Sequence, residues 1–210
     1  MKENLSEFIY IIDRSGSMSN IWTDTIGGYN SLIANMKEAD GEAYVTTILF
    51  DNGIEKVVDH VKDVDVQPLD PHEYMPRYTT ALLDAIGSTI DNVGLRLYNT
   101  PEEERPSHVV VTIITDGYEN ASKDYKKSQI KDMIALQRDV YSWEFIFLGA
   151  DIDAFEEASS IGIDPSRTQG FTKSSACLDT LFSSVGEIAV HYKNGRVGGA
   201  TIQSALNKIQ

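Results

Sequence analysis

Four short, dense apolar runs limit what this chain can fold into. They are residues 8–12, 45–50, 109–114 and 145–148. None alternates polar with apolar, so each fits a strand covered on both faces. Between them, apolar residues recur at helical spacing. Ile21, Ile26, Tyr29, Ile33 and Met36 make one stripe, and Leu82, Leu83, Ile86, Ile90, Val93 and Leu97 a second. Ile130, Met133 and Ile134 make a third, continued by Gln137. Strands alternating with helices predict an α/β fold, a doubly wound and mostly parallel sheet of about six strands with helices on both faces.

One connection departs from that rule. Asn52-Gly53 separates two strand-like runs and is the strongest short hairpin signal. Residues 54–61 are therefore predicted to run antiparallel to their predecessor. Glu55, Lys56, Asp59, His60 and Lys62 suit an exposed edge. Residues 68–76 read as a loop. Asp153 is predicted to cap a short helix, with Glu156 three residues on. Residues 167–171 read as a last short strand. A closing helix follows through Leu178, Leu181, Val185, Ile188 and Tyr192. With no repeat and no linker, residues 1–192 are expected to form one domain. Residues 193–210 are a tail, either loose or a short helix.

Composition narrows the function. The chain is 41% hydrophobic and 24% charged over 210 residues, enough to bury a sizeable core. Acids outnumber bases 32 to 18, a net charge of -14, and no basic stripe is visible. That argues against nucleic acid and against an anionic membrane surface. The acidity favours solubility and concentrates cations nearby. The single cysteine, Cys177, sits among Ala176, Leu178 and Leu181 and reads as a small core residue. The opening "MKENLSEFIYIID" lacks a basic segment followed by a long apolar one, so no signal peptide is expected. No segment nears the ~20 apolar residues of a membrane helix, and the expected location is cytoplasmic.

Three motifs fall at strand ends or helix starts. Asp13, Ser15 and Ser17 follow the first strand, Thr79 and Thr80 open the second long helix, and Asp116 follows the 109–114 strand. Doubly wound sheets bind ligands outside the carboxyl ends of their strands, where the winding reverses. If the first strand and the 109–114 strand are central neighbours, Asp13 and Asp116 meet there. Two carboxylates and three hydroxyls are hard oxygen donors, suited to magnesium or manganese. Each motif also has a plain alternative: a turn or helix cap for Ser15 to Ser17, a cap for Thr80, a strand exit for Asp116-Gly117. Arg14 reads as a local counter-ion or, better, as a side chain pointing to solvent.

Asp13-x-Ser15-x-Ser17, a later threonine and Asp116 before Gly117 resemble the metal-ion-dependent adhesion site of von Willebrand factor type A domains, also called integrin I-like domains. The resemblance runs from about Leu5 to Tyr192. "FIYIIDRSGSM", "TALLDAIG" and "VTIITDGYENAS" look most like intracellular bacterial and phage-borne members, including those associated with tellurite resistance. It implies that Ser15 and Ser17 ligate a magnesium or manganese ion, that Thr80 joins when a ligand is bound, and that Asp13 and Asp116 act mainly through water, or Asp116 directly in the resting state. Relatives often carry glycine where Thr79 stands, so either threonine could reach the metal; the following "ALLDA" selects Thr80. A partner's Asp or Glu would complete the shell, within an adaptor role beside an ATPase or a kinase. Rim candidates are Tyr78 and His72 before the threonine, and Tyr118, Glu119 and Asn120 after the aspartate; loops held by a rigid sheet often select partners.

The alternatives are a magnesium-dependent phosphohydrolase using Asp13 and a structural assembly subunit with an incidental metal. A phosphohydrolase needs a second acid two residues after its nucleophile, and Ser15 stands there. The sequence D-R-S-G-S is not a G-x-S-x-G elbow, and no phosphate-binding loop is present. The expectation is a binding module, not an enzyme.

Overall fold

The computed structural model describes residues 1–196 and 198–209. Six strands form one sheet: β1 (Lys2–Asp13), β2 (Glu42–Phe50), β3 (Ile54–Lys62), β4 (Pro106–Thr115), β5 (Glu144–Ala150) and β6 (Thr168–Phe171). Their order is β3-β2-β1-β4-β5-β6. Every neighbouring pair is parallel except β2 with β3, the hairpin predicted from Asn52-Gly53. Asp51 fixes that turn by accepting the Gly53 N–H at 2.8 Å. The helices are α1 (Trp22–Glu38), α2 (Leu82–Asn99), α3 (Lys127–Tyr141), α4 (Ala154–Ser160), α5 (Ser175–Lys193) and α6 (Gly199–Leu206). The α/β fold and the antiparallel edge strand are as the sequence predicts.

Successive strand residues point to opposite faces, and β1 uses this to divide the core in two. Phe8, Tyr10 and Ile12 join a cluster with α1, α5 and α6. Ile9 and Ile11 join another with α2, α3 and α4. Both clusters are continuous through buried Val, Ile, Leu and Phe, which is why the strands read as unbroken apolar runs. In the α1–α5 contact, Gly28 lies against the Phe182 ring; a Cβ there would come within 2.2 Å of Cδ2.

Three buried charges are tied in by name. Glu7 on β1 pairs with Arg96 on α2, Nη1 lying 3.1 Å from Oε2, and His60 stands 3.5 Å from its other oxygen. Lys193, at the end of α5, donates to the carbonyls of Met36 (2.5 Å) and Ala39 (3.0 Å) and to Asp63 (2.5 Å). The tail contributes α6, and Ile202, Ala205, Leu206 and Ile209 pack into the first cluster. Among the described residues, no helix is long and apolar enough to cross a membrane.

This topology places the site. From β1 the chain winds one way to β2; from β4 it winds the other way to β5 and β6. The crevice at the reversal opens above the carboxyl ends of β1 and β4, which run in register with Ile12 beside Ile114.

Candidate metal centre

The site grows out of β1. After Asp13, the N–H of Arg14 still donates to Phe50 O of β2 at 2.6 Å, so the strand holds until the motif begins. Ser15 is extended, and Gly16–Asn20 then turns tightly as a 3-10 helix. Asp13 braces this turn. One carboxylate oxygen accepts the Ser15 N–H at 2.7 Å, and the other accepts the Thr115 hydroxyl at 2.6 Å. Ser15 Oγ lies 3.0 Å from Ser17 Oγ, and the Ser17 hydroxyl donates to Asp116 Oδ1 at 2.6 Å. An unbroken chain of polar contacts therefore joins the ends of β1 and β4.

Thr80 enters from a separate loop. That loop is hydrogen-bonded to the serine turn, with Gly16 N–H donating to Tyr78 O and Arg77 N–H to Arg14 O. Asn120 clamps Thr80 from the other side, accepting its N–H at 2.9 Å and donating to its carbonyl at 3.0 Å. A Cβ added to Gly117 would lie 3.1 Å from Thr80 Oγ1 and 3.7 Å from Ser17 Oγ. The threonine and serine hydroxyls thus flank one small space that glycine keeps open. Thr80 is 3% exposed, whereas Thr79 faces solvent.

The electrostatics favour a cation. Burial pushes the Asp13 carboxyl up to about 6, and the nearby Asp116 charge adds to this, while bonds from Thr115 and Ser15 work against it. A proton and a metal ion would compete for such a group. Lys173, just past β6, sets its ammonium 2.7 Å from Asp116 Oδ2 and 3.1 Å from Asp151 Oδ2. Burial alone would lower the lysine's pKa; the two carboxylates outweigh that and raise it. Among the described residues no cluster of three or more His, Cys, Asp or Glu side chains could hold an ion. Any metal here must use hydroxyls, and the donors are all oxygens, a set that suits magnesium and manganese.

Comparison with solved structures places the architecture. A von Willebrand factor type A protein from Catenulispora acidiphila superposes with a TM-score of 0.56 at 15% identity, over 88% of this chain and 42% of that one. The chain has the von Willebrand factor type A fold. Proximal thread matrix protein 1 from the mussel byssus, in a form with a zinc-occupied adhesion-site motif, matches with a TM-score of 0.62 at 17% identity, over 88% of this chain and 46% of that one. The manganese-loaded TRAP protein of Plasmodium vivax matches with a TM-score of 0.58 at 18% identity, over 87% and 74%. The chain thus spans less than half of the mussel and Catenulispora chains. No family model and no curated protein sequence matches it.

Around this candidate site the rim residues divide. Tyr78 is 67% exposed at φ 60°, with the Arg77 guanidinium 5.5 Å from its ring centre. Tyr118 is exposed, and its hydroxyl accepts the Asp153 N–H at 3.1 Å. His72 is exposed on the preceding loop, where its N–H donates to Asp70. Glu119 is half-buried and Asn120 exposed, and both accept backbone N–H groups of the segment that opens α2. Glu119 accepts the N–H groups of Leu83, Ala121 and Ser122. Arg14 corrects its expected solvent position. It is 3% exposed, paired with Asp51 at 3.1 Å and Glu55 at 2.8 Å, because the β2–β3 hairpin carries those acids against the end of β1. Lys173 was missed altogether; no motif marks it, and only the position of β6 brings it to Asp116.

Proposed function

We propose that this chain is a divalent-metal-dependent protein-binding module. Ser15, Ser17 and Thr80 would hold the ion through their hydroxyls, with Asp13 and Asp116 behind them acting mainly through water. When bound, magnesium (or manganese) supplies concentrated positive charge and a position for a carboxylate oxygen from a partner's Asp or Glu. The observation that carries this reading is the polar chain from Thr115 and Asp13 through Ser15 and Ser17 to Asp116, with Thr80 facing the same space across Gly117.

The chain's own groups divide the work. Asp13 orients the serine turn through the Ser15 N–H. Neutral hydroxyls leave an ion's charge less cancelled than carboxylates would, which favours an anionic guest. Tyr78 and Tyr118 offer exposed rings beside it for a peptide backbone, and His72 lies further out. We place the protein in the cytoplasm, as an adaptor for a protein complex that includes an ATPase or a kinase. We read it as no enzyme, because Ser15 occupies the place where a phosphohydrolase carries its second acid.

The test is manganese binding followed by calorimetry, with a pull-down from the source organism's lysate, with and without chelator. Wild type should bind one equivalent of metal, about one ion per chain for a single such site. Asp13→Ala should lose it while staying folded by circular dichroism, and should lose the chelator-sensitive partner. Partner capture that survives both chelator and Asp13→Ala would refute the metal bridge. Turnover of a phosphate ester that disappears in Asp13→Ala would replace it with the enzyme reading.

A further inference from the structure

Resting on the metal reading above, we infer that Lys173 is a tethered cation that competes with the metal ion for Asp116, so that it lowers metal affinity and holds the site together in the metal-free protein.

Lys173 belongs to none of the motifs that define the site. It follows β6, and β5 stands between β6 and the β4 strand that ends at Asp116. Its side chain reaches across the carboxyl end of β5 and is only 16% exposed. The Asp116 side chain is fully buried, and its two oxygens are divided. One accepts the Ser17 hydroxyl, and the other faces the lysine ammonium at 2.7 Å. The same ammonium is 3.1 Å from Asp151, the residue after β5, whose backbone is left-handed at φ 52°. Asp151 is itself 61% exposed. Lys173 therefore sits between a buried carboxylate of the candidate site and an exposed carboxylate outside it.

Two cations beside one carboxylate repel each other, and near a partly buried site that repulsion is large at an effective dielectric of about 20. Removing the lysine charge should relieve it. Removing Asp151 should do the opposite, since it leaves Asp116 as the ammonium's remaining acid. In the metal-free protein the lysine has the converse effect: it offsets the clustered charge of Asp116 and Asp13. Without it, the buried Asp116 carboxylate, whose charge already bears on Asp13, has no cation beside it.

The experiment is manganese titration by calorimetry on the full chain, with thermal melts in chelator and in manganese. Lys173→Met should bind manganese tighter by about tenfold or more, the direction being set by the same Coulomb repulsion. Its metal-free melting temperature should fall and its manganese-induced rise should grow. Lys173→Arg, which keeps the charge, should stay near wild type. Asp151→Asn should bind several-fold more weakly, and that loss should vanish in the Lys173→Met, Asp151→Asn double variant. Equal or weaker affinity in Lys173→Met overturns the inference. If Lys173→Met does not fold, wild-type affinity in Asp151→Asn overturns it instead. Wild type that binds no manganese strikes the metal reading and this inference together; wild type that binds, with variants that match it, strikes this inference alone.

Discussion

Gly117 carries the tightest steric demand in the site. A methyl group there would stand 3.1 Å from Thr80 Oγ1, tight enough that the threonine hydroxyl would have to give way by a few tenths of an ångström. Gly117→Ala should therefore keep the fold, with a melting temperature within a few degrees of wild type, and reduce manganese affinity about tenfold or more by calorimetry, a loss of roughly 1.4 kcal/mol. The candidate donors that the structure brings together around it were legible because Asp13, Ser15 and Ser17 are close in sequence and Asp116 closes a run of apolar residues. The choice of Thr80 over Thr79 rested on the following "ALLDA" alone, and Thr80 is the buried one of the two. Arg14 and Lys173 were illegible for a shared reason. Each is defined by acids on another segment, Asp51 and Glu55 for the first, Asp116 and Asp151 for the second.

The start of α2 is the element on which Thr80 depends. The helix has no side-chain cap of its own. Its cap comes from the loop after β4: Glu119 accepts the Leu83 N–H at 2.9 Å and Ser122 Oγ accepts the Asp84 N–H at 3.0 Å. Asp84 returns the favour by accepting the N–H groups of Lys123, Asp124 and Tyr125. Glu119→Ala would leave three backbone donors without this acceptor, at a cost of about 2 kcal/mol in urea denaturation. Metal affinity should weaken with it, because Asn120 and Thr80 share that frame. On the opposite face, Gly28→Ala drives a Cβ into Phe182. It should cost about 1–3 kcal/mol and leave metal binding near wild type, since neither residue touches the site. Strands covered on both faces announce themselves in the sequence, and so did the hairpin. The cap of α2 did not, because the groups that supply it come from the loop after β4 rather than from the residue before the helix.

Across the whole molecule, the far end of the sheet has its own electrostatic lock. Burial alone would raise the Glu7 carboxyl; bonds from His60 and Arg96 outweigh it and hold the carboxyl below the ordinary 4.5. The folded value is thus below the unfolded one, so this stabilisation is present above about pH 4.5 and is lost as pH falls further. Wild-type urea midpoints should drop on acidification below that pH more steeply than those of Glu7→Gln, which has no such proton to take up. Arg96→Ala should cost about 3 kcal/mol at neutral pH, because it leaves a buried carboxylate with only His60. The alternation of strands and helices and the two-sided core followed from the apolar pattern; the strand order did not. These buried pairs did not, since a charged residue inside a strand or at a helix end reads as surface until its partner is located.

Lys193 has a consequence for where the chain can be cut. Its ammonium closes the carbonyl end of α1 and neutralises Asp63 beneath the sheet edge. A version stopped at Tyr192 would strand that acid and two carbonyls in an apolar interior and would also strip away α6. Trimming back to the last residue of the obvious helical stripe should therefore yield a protease-sensitive fragment, whereas the smallest autonomous piece has to retain the lysine one position beyond it.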